Sequence, residues 1–164
     1  MAKITFPGLE EYALRLSRLA EGADEIAGRA VYAGAEIVAD AIRENIQRLD
    51  AKSDRDGLTA YLRKEPAPLT ESAKKGLLDG LGISHMQNAQ GYFNVKIGFD
   101  GYNNLKTKKF PGGQPNVMIA RSLESGSSIA PKRPFVRPAV NGSRKRAEAA
   151  MAVVIDEGIQ KTMK

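Results

Sequence analysis

The sequence predicts an α+β fold, a small antiparallel β-sheet packed against N-terminal helices and a long C-terminal helix. Three observations lead there. Apolar residues recur at helical spacing through 9–49, 73–81 and 147–159. Phe93, Val95, Ile97 and Phe99 alternate with Asn94, Lys96 and Gly98, as a strand with one buried face requires. Turn formers such as Asp100-Gly101 separate the two kinds of pattern. At 164 residues the chain is long enough for one domain with a proper core and too short for two comfortable ones, so a single domain over 1–164 is expected.

In chain order, Ile4 and Phe6 suit a short strand before Pro7-Gly8 turns it. Leu9, Tyr12, Ala13, Leu16, Leu19 and Ala20 then follow helical spacing, Gly22 ends or bends that helix, and Asp24 can cap the next. The second helix presents Ala27, Ala30, Val31, Gly34, Val38, Ala41, Ile42, Ile46 and Leu49. So many small side chains allow a close neighbour, either the sheet or another subunit. Over 50–69 charge and turn formers replace the periodicity, and a flexible loop with a brief helical turn at 58–63 is expected. Asp54-Arg55-Asp56-Gly57 does not make a calcium loop. With Gly57 at the sixth position, Lys52 and Arg63 stand first and twelfth, where carboxylates are needed.

Thr70 can cap a third helix with Ala73, Leu77, Leu78 and Leu81 on one side and Gly82 as its stop. The strand over 93–99 follows, with 83–87 as its expected antiparallel partner. Residues 102–114, which include Lys106, Lys108, Lys109 and Gly112-Gly113, read as a basic loop without the pattern of a phosphate-binding loop. The last helix carries Ala147, Ala150, Met151, Val154, Ile155, Gly158 and Ile159 on one stripe. A start near Pro138 is favoured over one at Ser143, which would set three cations against the helix dipole.

The chain has no cysteine, so neither disulfides nor thiolate metal sites hold it together, and a reducing cytoplasm suits its folding. No apolar run approaches the roughly 18 residues of a membrane span, and no signal core follows the N-terminus. His85 is the only histidine, and no serine sits in a nucleophile-elbow sequence. The acidic residues lie on faces opposite the apolar stripes. No enzyme, cofactor or metal is expected.

The most informative stretch is 116–139. Asn116 can cap a short helix with Val117, Ala120 and Leu123 at three-residue spacing, although a strand is also compatible, and Gly126 supplies a left-handed exit. Pro134 and Pro138 fix φ at two points and bias Arg133 and Arg137 toward extended geometry, which predicts a stiff strut bearing Phe135. Phe135 is then either a core residue or a preorganised docking wedge between two arginines.

These residues carry a resemblance. Glu124-Ser125-Gly126-Ser127, followed by Pro134-Phe135-Val136-Arg137-Pro138-Ala139, resembles the paired signature of the gene-product-ten-like family of tail-completion or neck proteins in lambdoid long-tailed phages. The opening Ile4-Thr5-Phe6-Pro7-Gly8-Leu9-Glu10-Glu11-Tyr12 is similar to the start of that family, whereas the middle of the chain is longer and divergent. The resemblance implies a structural virion-assembly protein that completes the tail or joins it to the head. It implies a homo-oligomeric ring around the DNA path, with a connector or head-closure protein on one side and a tail terminator or tail tube protein on the other. It places the chain in the virion, and in the host bacterial cytoplasm during assembly. The candidate interface residues are Glu124, Gly126, Arg133, Pro134, Phe135, Arg137 and Pro138.

Charge supplies the alternative. Residues 129–164 hold eight basic and three acidic residues, and so carry nearly all of the net +6 of the chain, with Arg144, Lys145 and Arg146 as a candidate basic patch. A face of this kind can meet phosphates without sequence preference, including passing DNA, or an acidic protein surface. No aromatic residue follows Phe135, which argues against specific nucleic-acid readout.

Overall fold

The computed structural model describes residues 9–89, 91–104, 106, 108, 110–128 and 130–164. The expected strand at Ile4 and Phe6 lies outside the described residues. The elements run α1 (Leu9–Arg48), α2 (Asp54–Leu62), α3 (Glu71–Gly80), β1 (Leu81–Ile83), β2 (Gln87–Ala89), β3 (Tyr92–Asn94), β4 (Ile97–Phe99), α4 (Asn116–Ser125) and α5 (Val136–Met163). The α+β class stands, with helices dominant and a small antiparallel β region.

The two expected N-terminal helices are one helix of 40 residues, roughly 60 Å long. Gly22 neither stops nor caps it. A glycine costs about 1 kcal/mol in a helix interior, and the contacts with α5 on both sides of it, Arg15 with Met163 and Ile26 with Gly158, outweigh that cost. A Cβ added at Gly22 meets nothing within 4 Å. Gly22→Ala should therefore raise stability by about 0.5–1 kcal/mol in urea denaturation, whereas a real helix break at this position would make the substitution neutral or harmful.

Helix α5 runs antiparallel along α1. Asn45 Nδ2 donates to the Phe135 carbonyl at 2.9 Å at one end, and an Arg15 guanidinium N–H donates to the Met163 carbonyl at 2.6 Å at the other. The small residues explain the close approach. A Cβ on Gly34 would fall 2.7 Å from Met151 Sδ, and one on Gly158 would fall 2.8 Å from the Ile26 side chain. The close neighbour expected from the small-residue face is thus a helix of the same chain. The predicted early start of α5 also stands, and Gly142 lies within the helix.

Where α1 ends and α5 begins, the other elements cover the pair. The core there comprises Ala41, Ile42 and Ile46 of α1, Leu69 before α3, Ala73 and Leu77 within α3, Leu81 of β1, Ala120 and Leu123 of α4, Phe135 and Ala139. Among the described residues nothing comparable covers the far half of the pair, and Tyr12, Leu14, Leu16, Val153, Ile155 and Ile159 are exposed there.

The segment expected as a loop contains α2. Ser53 caps it, with Oγ accepting from the Asp56 N–H at 3.2 Å and donating to the Asp56 carboxylate at 2.8 Å, and Asp54 and Asp56 suit its first turn. The helix therefore starts four residues earlier than the turn expected at 58–63 and includes Gly57. The Asp54 carboxylate accepts from Ser72 Oγ and from the Ser72 N–H at 3.2 Å, so α2 also holds the start of α3. Thr70 caps α3 as expected, with Oγ1 accepting from the Ala73 N–H at 3.3 Å. Helix α3 stops at Gly80, two residues before the predicted stop, and passes directly into β1.

The strand expected over 93–99 is two three-residue strands. β4 pairs with β1 (Leu81↔Phe99) and β3 pairs with β2 (Gln87↔Asn94). Three residues, Ser84 to Met86, face two, Val95 and Lys96, so an extra residue bulges out and breaks the ladder. The Met86 N–H freed there donates to the Tyr32 hydroxyl at 2.9 Å, which ties the hairpin to α1. The predicted alternation survives the break, since Phe93, Val95, Ile97 and Phe99 are half-buried and Asn94, Lys96 and Gly98 are exposed.

Candidate docking segment

The segment from Glu124 to Pro138 joins the end of α4 to the start of α5. Helix α4 begins after Pro115, with Asn116 as its first residue and not its cap. Asn116 is buried and its amide donates to the Asp100 carbonyl at 2.7 Å, while Val117, predicted on the apolar face, is exposed. The side chain that anchors the helix is thus polar, which apolar periodicity cannot reveal. At the other end Gly126 takes the positive φ that its position predicts, +76°, but with ψ 169°, an extended conformation open to glycine and not the left-handed helical exit. The chain then turns through Ser127 and Ala130, whose backbones bond at 2.9 Å, and returns so that the Arg133 N–H donates to the Leu123 carbonyl at 2.7 Å. A carbonyl of the last turn of α4 is satisfied in this way.

Glu124 is the centre of the segment. Its carboxylate accepts the backbone N–H groups of Phe135 at 2.8 Å, Val136 at 2.9 Å and Arg137 at 3.0 Å. The start of a helix leaves N–H groups without intrahelical partners and carries partial positive charge, and a carboxylate answers both. No side chain within α5 caps it, because the residue at the cap position is Phe135. Glu124, from the preceding helix, does this work. Partial burial pushes its pKa up, but the N–H groups of Val136, Arg137 and Phe135 together with the Arg137 charge outweigh that and hold the carboxyl below the ordinary glutamate value.

The predicted strut is therefore corrected. Val136, Arg137 and Pro138 already belong to α5, so Arg137 is helical and not extended. Pro138 is tolerated because a first-turn residue needs no N–H for the helix ladder. Phe135 is also corrected as a docking wedge. It is 1% exposed, and its ring meets Phe99 edge-on with centroids 5.8 Å apart at 65°. It belongs to the core of its own chain, where burial of a large apolar ring outweighs any gain from leaving it exposed for a partner.

Of the seven predicted interface residues, Pro134, Arg137 and Pro138 are exposed, Glu124, Gly126 and Arg133 are half-buried in contacts within the chain, and Phe135 is buried. Arg144, Lys145 and Arg146 are all exposed on the body of α5. Consecutive helix positions point about 100° apart, so the three cations fan around the helix and do not line one groove. Arg144 also pairs with Glu148 at 2.9 Å. Sequence reasoning missed the role of Glu124 as a cap because it acts across eleven residues, while capping patterns are read over three.

His85 is exposed at the hairpin bulge. A cleft of about 480 Å³ between α3 and the 100–104 turn is lined by Ser72, Lys75, Asp79, Asp100 and Tyr102, with Asn116 at its wall. Among the described residues no three acidic, histidine or cysteine side chains gather as metal ligands, and no helix is long and apolar enough to cross a membrane. No family model, curated protein or solved structure matches the chain.

Proposed function

We propose that the chain is a structural virion-assembly protein of a tailed phage or prophage, a non-enzyme that completes the tail or joins it to the head through ring assembly and protein docking. The observation that carries this reading is the Glu124 clamp. The two halves of the family-like signature, Glu124 to Ser127 and Pro134 to Ala139, meet as one hydrogen-bonded unit through Glu124 and the three N–H groups that open α5. The pairing of a glutamate with a distant Pro-Phe-x-x-Pro run thereby acquires a physical reason. It fixes where a long helix starts and leaves Pro134, Arg137 and Pro138 outward as a rigid edge for a partner. The partners in this reading are further copies of the chain, a connector or head-closure protein and a tail terminator or tail tube protein. Its place is the virion, after assembly in the host cytoplasm.

Deleting the gene should leave separate heads and tails under electron microscopy of an induced lysate, and supplying the chain from a plasmid should restore joined particles. Normal particles in the deletion strain would refute the proposal. In the nucleic-acid alternative, the exposed cations of α5 bind phosphates and DNA affinity falls steeply with salt. Absence of binding at low salt removes that alternative.

A further inference from the structure

The α1/α5 pair is electrically polar along its length. At the tip, residues 9–28 and 149–164 hold seven acidic and four basic residues, net −3. At the covered base, residues 121–148 hold seven basic and two acidic residues, net +5, and the adjoining stretch of α1, 29–48, is balanced at three of each. The two ends lie roughly 40 Å apart along the pair, several screening lengths, so they do not neutralise each other within one chain.

Each end also carries an apolar residue at the centre of its charged face. On α1, Glu10, Leu14 and Glu21 fall on one side of the helix, joined by Asp24 and Glu25, all exposed, with Leu14 52% accessible. On α5, Arg137, Val140 and Arg144 fall on one side, all exposed, with Val140 42% accessible. Arg18 flanks the first face, and Glu148 partly offsets Arg144 on the second. The two faces match in sign and in plan, an aliphatic residue between acids and an aliphatic residue between cations.

We infer that copies of this chain associate head to tail, the acidic tip face around Leu14 of one copy docking on the basic base face around Val140 of the next. Different patches meet in such a contact, so each copy keeps one free tip and one free base, and repetition closes a ring or grows a filament. The inference rests on the ring assembly of the proposed function and names the surfaces that make it.

Sedimentation velocity of the full chain over a concentration series tests it. Self-association should strengthen as salt is lowered. E10K/E21K at the tip and V140E/R144E at the base should each weaken it by roughly tenfold or more while the far-ultraviolet dichroism of each variant stays native. An equimolar mixture of the two variants should associate again, because the intact acidic tip of the base variant meets the intact basic base of the tip variant. Wild-type chain that stays monomeric at low salt, association that stops at two copies, or a mixture that fails to recover while both variants are folded would each overturn the inference. The particle-joining result in the deletion strain is scored separately and can stand or fall without it.

Discussion

Phe135→Ala should destabilise the chain by about 3–5 kcal/mol, the range for removing a fully buried aromatic ring. The ring is 1% exposed, stands edge-on to Phe99 and lies in the cluster that joins Ile42, Ile46, Leu77 and Leu123. Its loss opens a void where α1, α3, α4 and α5 meet, so four helices lose contact at once. Equilibrium urea unfolding followed by circular dichroism measures the effect, and Phe135→Leu, which keeps most of the volume, should cost distinctly less. The outcome separates two roles for one residue. A docking wedge would leave the isolated chain as stable as wild type and abolish only assembly, whereas a core residue lowers stability in the absence of any partner.

Glu124→Gln should lower stability by about 2 kcal/mol, since hydrogen bonds to a charged acceptor contribute more than neutral ones and a carboxamide presents one acceptor oxygen and an NH2 group to three donors. The same carboxylate gives stability a pH dependence of defined sign. Its native pKa lies below the ordinary value, so its contribution is fully present above the unfolded pKa of about 4.3 and is lost as pH falls from there through the lower native value. Urea midpoints measured across that acid range should fall more steeply for wild type than for Glu124→Gln, and the two curves should converge at the acid end. Parallel curves would mean that the carboxylate makes no special contribution to the folded state.

Much of this fold was legible because apolar spacing reports burial directly. All nine residues read as the apolar face of 27–49 are buried or half-buried, and so are Ala147, Ala150, Met151, Val154 and Gly158 of the predicted α5 stripe, whereas Ile155 and Ile159 are exposed. The failures share a cause, which is local rules overruled by distant contacts. Gly22 looked like a stop but lies in a helix held along its length by α5. The 93–99 strand looked continuous, yet a bulge facing it divides the ladder, and that bulge is stabilised by Tyr32 from another element. The charged segment 50–69 hid α2 because a helix capped by Ser53 and used to hold α3 needs little apolar surface of its own.

The candidate site was legible as a position and misread as a geometry. Two prolines suggested an extended strut, but the second falls in the first turn of α5, where proline is compatible with a helix. Arg133 and Arg137 suggested a charged frame for an exposed Phe135. Their backbone N–H groups instead tie the returning chain to Leu123 and Glu124, and the ring turns inward. No sequence pattern within a few residues of Phe135 encodes that choice, because the deciding carboxylate sits on the previous helix.

The clamp itself is most directly tested by a nuclear magnetic resonance pH titration that follows the Glu124 side-chain carboxyl carbon together with the backbone amides of Phe135, Val136 and Arg137. The three amides should shift with the carboxyl in one common transition whose midpoint lies below the ordinary glutamate value, and the transition should vanish from all three in Glu124→Gln. A carboxyl that titrates at the ordinary value while the three amides stay silent would contradict the account.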